Sequence, residues 1–98
     1  MTHYVAIIED AGPDHAVGVW FPDLPGCFAA GDTLDEALQN APDALALWIE
    51  TMRADGHHIP HARTPSELKN DPSVASEMEQ FAIALIPAPD LALQPAAE

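Results

Sequence analysis

The stretch FPDLPGCFAAGDTLDEALQNA, from Phe21 to Ala41, constrains this chain more than any other part of it. Pro22, Pro25, Gly26 and Gly31 crowd between a run that reads as a β-strand and an acidic run that reads as a helix. Pro22 cannot donate to a sheet ladder, so it marks the end of a strand. Leu24-Pro25-Gly26-Cys27 sets Pro and Gly at the two central turn positions, where a type II turn wants a fixed negative φ and then a positive one. The turn sends the chain back through a short strand, Cys27 to Ala30, and Gly31 frees the backbone to leave the sheet. Thr33-Leu34-Asp35-Glu36 then matches the capping box, in which Thr33 accepts from an orphan helix N–H and Glu36 reaches back. Asp32, Asp35 and Glu36 also complement the positive end of the helix dipole. Strand, turn, strand and helix start thus follow one another with almost no loop.

The flanking segments extend this order. HYVAIIE, residues 3–9, has Tyr, Val and two Ile with no breaker and suits a buried strand. DAGPDH (Asp10 to His15) reads as a turn, and Ala16 to Phe21 as the returning strand of an antiparallel hairpin. In that strand Val17, Val19 and Phe21 share one face, and Gly18 and Trp20 the other. The helix runs from about Leu34 to Asp55, with Gly56 placed to end it. Leu34, Ala37, Leu38, Ala41, Leu45, Trp48, Ile49 and Met52 recur at spacings of three and four as one apolar stripe. Pro42 lies inside this helix and removes the bond to the Leu38 carbonyl, a cost of roughly 3 kcal/mol. The stripe keeps its phase across Pro42, which predicts a kink in one helix rather than two helices. Thr64-Pro65-Ser66-Glu67 is a second capping box with Pro at the first helical position, so a short helix follows. Asp71-Pro72 interrupts it, Ser73 to Gln80 adds another turn, and Phe81 to Ile86 alternates large and small residues as a final strand.

The sum is a two-layer α+β domain, β-β-β-α-(short α)-β, with a mainly antiparallel sheet of three or four strands packed on one long helix. Residues 1–86 make that domain, and 87–98, rich in Pro and Ala, are expected to form a poorly ordered tail. The second sheet face is expected to have no second helix in this chain to cover it. Trp20, Tyr4 and alternate residues of Phe81 to Ile86 are expected to line that face, which predicts self-association or a partner. Trp20 reads equally as a second-face core residue or as an oligomer contact, with Tyr4 beside it.

Charge narrows the function classes. Sixteen acids oppose three Lys and Arg residues, for a net charge of -13. Such a chain cannot neutralise phosphates, so direct nucleic-acid binding is not expected, and its field attracts basic proteins. No secretory signal is visible at the N-terminus, no run is long enough to span a membrane, and the lone Cys27 suits a reducing cytoplasm. His57, His58 and His61 lack the further ligands a metal site needs and read as an exposed loop, so no metal and no cofactor is expected. Cys27 has no His or Lys neighbour to activate it and reads as packed under the turn.

Y-x-A-I-I-E, then F-P-D-L-P-G-C, then G-D-T-L-D-E-A-L-x-N-A and a long helix ending near Gly56 and followed by I-P together resemble the HicB family of antitoxins. The likeness covers Tyr4 to Pro60 closely and Phe81 to Ile86 more loosely. It implies a partial RNase H-like fold and the protein half of a type II toxin–antitoxin pair. The implied partner is a small, basic, HicA-like toxin that cleaves mRNA with a histidine and that the antitoxin masks. Opposite charges on the two proteins would steer their encounter. An orphan HicB-like oligomer with a regulatory or scaffolding role and no toxin is the alternative. Many members carry a C-terminal DNA-binding domain; PAPDLALQPAAE has no basic segment, so operator binding is expected to be absent here. Enzymatic activity is not expected either. RNase H-like nucleases need a carboxylate in the middle of the first strand, and Val5 to Ile8 has none. If a toxin is bound, the expected contact residues are the acids and turn at Asp23, Leu24, Pro25 and Asp32 with the helix acid Asp35, while the bare sheet face predicts a dimer or tetramer with Trp20 and Tyr4 as its contact residues.

Overall fold

The computed structural model describes residues 2–88. The elements run β1 (Thr2–Glu9), β2 (Val17–Trp20), β3 (Phe28–Gly31), α1 (Leu34–Ala54), α2 (Pro65–Lys69), α3 (Pro72–Gln80) and β4 (Ala82–Ala88). All four strands join one antiparallel sheet in the order β3-β2-β1-β4. Strand β1 sits inside, between β2 and β4. Tyr4 to Ile8 of β1 are all buried, as a strand covered on both faces must be.

Alternation along the strands sorts side chains into two layers. Tyr4, Ala6 and Ile8 of β1, Val17 and Val19 of β2, and Ile86 and Ala88 of β4 meet the buried stripe Ala37, Ala41, Leu45 and Ile49 of α1. Val5 and Ile7 face the other way and meet Leu68 of α2 and Val74 of α3, with Trp20, Met78 and Phe81 packed around them. The second face is therefore covered by helices, against the expectation that none in this chain would do so. Both helices are too short, at 5 and 9 residues, to show a period, and each commits only one buried side chain to the sheet. Tyr4 also belongs to the α1 layer rather than the second face.

Turn and cap chemistry sets the path. The Cys27 N–H donates to the Leu24 carbonyl at 3.0 Å with Gly26 at φ 88°, the positive angle a type II turn needs. Helix α1 starts on Thr33, whose hydroxyl accepts from the Glu36 N–H at 3.1 Å. The Glu36 carboxylate reaches one residue further back than a capping box requires and accepts from the Asp32 N–H. The helix runs unbroken through Pro42 to Ala54. It ends as a Schellman motif, with the Gly56 N–H on the Arg53 carbonyl, the His57 N–H on the Met52 carbonyl and Gly56 at φ 78°. The second capping box forms as read, Thr64 and Glu67 satisfying each other's backbone N–H, and Asp71 caps α3.

Several element ends differ from the sequence reading by one or two residues. Strand β3 is shifted one residue on, to Phe28–Gly31, and β4 runs through Pro87 to Ala88. An outer strand tolerates Pro87 because one of its edges has no ladder partner to lose. Residues 89–98, most of the segment read as a tail, lie outside the described residues. Among the described residues no helix is long and apolar enough to cross a membrane.

Candidate functional site

The five residues expected to form a contact surface do not sit together. Strand β3 separates them: Asp23, Leu24 and Pro25 precede it and Asp32 and Asp35 follow it. Its four residues put roughly 10 Å between its two ends at about 3.4 Å per residue.

Two of the first group turn their side chains inward. Leu24 is fully buried in the α1 layer. Asp23 is held by Arg63, whose backbone N–H donates to Oδ2 at 2.8 Å and whose Nε donates to Oδ1 at 2.7 Å, and only 6% of the Asp23 side chain is exposed. Arg63 also donates from Nη1 to Asp71 Oδ2 at 3.0 Å. These two carboxylates keep the guanidinium firmly protonated. Asp23 thus anchors the segment that leads from α1 to α2 across to the other side of the sheet. The Tyr4 hydroxyl pins the same segment by donating to the Pro60 carbonyl at 2.6 Å. Burial, aided by the Asp23 charge, pushes that phenol above its usual range. Tyr4 offers no surface to a second copy of the chain. Trp20 is half-buried, edge-on to the Phe81 ring at 5.4 Å, with Nε1 donating to Glu77 Oε1 at 3.4 Å.

Asp32 and Asp35 remain exposed, as does Pro25. Asp32 lines a shallow cleft of about 260 Å³ with Asp10, His15 and Leu34, where the β1–β2 turn meets the start of α1. Leu34, read as part of the apolar stripe, opens to solvent there.

An apolar groove of about 270 Å³ opens beside the Pro25-Gly26 turn, with Cys27 and Phe28 on one side and Ala44, Leu47, Trp48 and Met52 of α1 on the other. Phe28 and Leu47 are its most open members, 68% and 65% exposed. Neither stood out in the sequence as a surface feature. Leu47 did carry a signal, since it is the large apolar residue of α1 out of phase with the stripe. Cys27 forms part of the floor. Burial pushes its thiol up to about 11, and Sγ donates to the Ala44 carbonyl at 3.8 Å. A thiol so far from ionisation is a packing group, not a nucleophile. Among the described residues no three His, Cys, Asp or Glu side chains are placed to hold a metal ion.

Comparison with known proteins fits this geometry. The sequence pattern of the family described as HicB_like antitoxin of bacterial toxin-antitoxin system matches residues 4–92. An uncharacterized 14.9 kDa protein in the rep-hol intergenic region of Haemophilus phage HP1 is 36% identical over 83 residues, 85% of this chain and 58% of that protein. UPF0150 protein ssr1765 of Synechocystis sp. is 44% identical over 60 residues, 59% of this chain and 72% of that protein. The antitoxin HicB of Burkholderia pseudomallei superposes with a TM-score of 0.71 at 26% identity, over 90% of this chain and 64% of that one. A chain of the HicA3 and HicB3 toxin-antitoxin complex superposes with a TM-score of 0.68 at 26% identity, over 89% of this chain and 98% of that one. The chain thus spans 58% of the phage protein and 64% of the Burkholderia antitoxin.

Proposed function

This chain belongs to the HicB-like antitoxin family, and from that membership we propose that it binds and masks a small, basic, HicA-like mRNA-cleaving toxin. The observation that carries the proposal is the family match across residues 4–92, taken with the likeness to a chain of the HicA3 and HicB3 complex. Physical chemistry supports it. A net charge of -13 steers a cationic partner towards the chain and repels RNA, so the antitoxin meets the toxin without competing for its substrate.

The role is one of cover, not of chemistry. Where an RNase H-like nuclease needs a first-strand carboxylate, this chain has Val5, Ala6 and Ile7, all buried. Masking an mRNA-cleaving toxin places the activity in the cytoplasm. Self-association belongs to the same proposal, through β4. Ile83 and Leu85 are exposed on this outer strand, and the strand carries no charged residue, so a second copy would meet no like charge there. Tyr4 has no part in that contact and Trp20 lies under Phe81.

Co-expression tests the proposal. The basic protein encoded beside this chain should arrest growth alone, and this chain should co-purify with it and restore growth. If no basic neighbour exists, or if the two do not associate, the orphan-oligomer reading takes its place.

A further inference from the structure

We propose that the groove between Phe28 and α1 is the seat for a basic segment of the partner, one that inserts a single large apolar side chain between cationic side chains. The proposal rests on the toxin-masking role and names the surface that would carry it.

Three features define the occupant. Shape comes first. The space is about 270 Å³ and open, below the size range of drug-sized ligand sites and matched instead to a side chain. Its lining is Phe28, Ala44, Leu47, Trp48 and Met52, with Leu47 and Phe28 standing about two-thirds exposed at its mouth. A partner that covered Phe28 and Leu47 would remove this open apolar pair from water.

Charge comes second. Asp43 lies four residues before Leu47 and Glu50 three after, so both neighbour it on one face of α1, and both are exposed. The acids therefore bracket the mouth of the groove. Of the chain's three cations, Arg63 is committed to Asp23 and Asp71, Lys69 belongs to α2 on the opposite sheet face, and Arg53 lies close enough to Tyr4 to act on its hydroxyl. A partner that brings Lys or Arg beside its apolar anchor would meet complementary charge. A second copy of this chain would bring the same acids against Asp43 and Glu50, which disfavours it as the occupant.

Preorganisation comes third. The two sides of the groove are already joined, by the type II turn at Leu24 to Cys27 and by the Cys27 thiol donating to the Ala44 carbonyl. Little ordering remains to be done on binding.

The test uses the full chain, the basic protein encoded beside it, and Leu47→Arg and Phe28→Ser, which change exposed side chains and leave the two core layers intact. Circular dichroism and thermal melts establish that each variant folds. The expected result is a loss of affinity of about tenfold to a hundredfold for Leu47→Arg, as for an anchor residue. A smaller loss is expected for Asp43→Asn with Glu50→Gln, together with a shallower salt dependence. Asp14→Lys, in the turn before β2, should change affinity less than threefold.

Failure is separable. If the wild-type chain does not bind its basic neighbour, the masking role falls and this proposal falls with it. If the wild type binds and Leu47→Arg binds equally well, the role stands and the groove is not the seat. If Leu47→Arg leaves toxin affinity unchanged but alters the sedimentation mass, the groove holds a second copy and the proposal is overturned.

Discussion

Arg63 grips Asp23 with both backbone and side chain, its N–H on Oδ2 at 2.8 Å and its Nε on Oδ1 at 2.7 Å, across forty residues of sequence. The same guanidinium reaches Asp71, the N-cap of α3, so one cation ties the β2–β3 turn to the helices on the far side of the sheet. Asp23→Asn keeps the volume and loses the charge and the fit to the Arg63 fork. The expected outcome is a lower unfolding midpoint with faster amide exchange at residues 57–64, because the segment joining α1 to α2 loses an anchor. Unchanged exchange in that segment would show that the clamp holds nothing in place.

Gly31 is a close-approach glycine. A Cβ there would lie 2.4 Å from the Ala37 nitrogen and 2.8 Å from the Glu36 carbonyl carbon, both backbone atoms of α1. Gly31→Ala should cost about 1–3 kcal/mol by urea titration, since the helix must shift to admit the methyl group. Gly18→Ala is the contrast, with nothing within 4 Å of its added Cβ, and should instead gain roughly 0.5–1 kcal/mol.

Tyr4→Phe isolates one hydroxyl. The phenyl body stays in the α1 layer while the Pro60 carbonyl loses its donor. A loss of about 1–2 kcal/mol is expected, the cost of a hydrogen bond removed with its acceptor left behind. A double-mutant cycle with Asp23→Asn should show coupling, because both contacts hold the same segment.

Acid should loosen α2 and α3 first. Glu67 is held below the usual carboxylate range chiefly by the Thr64 backbone N–H, and Asp71 chiefly by the Ser73 hydroxyl and then by Arg63. Both groups have a lower pKa folded than unfolded, so their contribution is complete above the unfolded value near 4 and disappears as pH falls through the folded value. Proton NMR of Leu68 and Val74 against pH should show their packing lost below pH 4, before that of Leu45. For Asp71→Ala the stability deficit relative to wild type should shrink over the same window.

The Cys27 thiol should resist alkylation. With its pKa near 11, the thiolate fraction at pH 8 is small, and iodoacetamide should react more than about a hundredfold more slowly than with the unfolded chain. The sign runs opposite to the carboxylates. A raised pKa favours the folded state below the unfolded value near 8.5, and that gain is lost as pH rises towards 11. Rapid labelling of the native protein at pH 8 would mean that the turn over Cys27 opens readily.

The fold was written locally and is legible on that account. Pro25-Gly26, the capping residues Thr33 and Thr64, Gly56 and the stripe through Ala41, Leu45 and Ile49 act within a few residues of themselves, so their spacing reports their role. The long helix survived Pro42 for the same reason, since the stripe on either side stays in phase and packs on one sheet face. What spacing cannot report is a meeting between distant segments. The closure of the second sheet face by Leu68 and Val74, the capture of Asp23 by Arg63, and the wedge of Gly31 against Ala37 each depend on how the chain returns through space. The candidate site divides along the same line. Charge and family resemblance were open to reading, whereas tertiary contact alone decided that the side chains of Asp23 and Leu24 turn inward and that Phe28 and Leu47 share a groove. Burial is a property of the assembled layers: an acid looks the same in sequence whether it faces water or an arginine forty residues away.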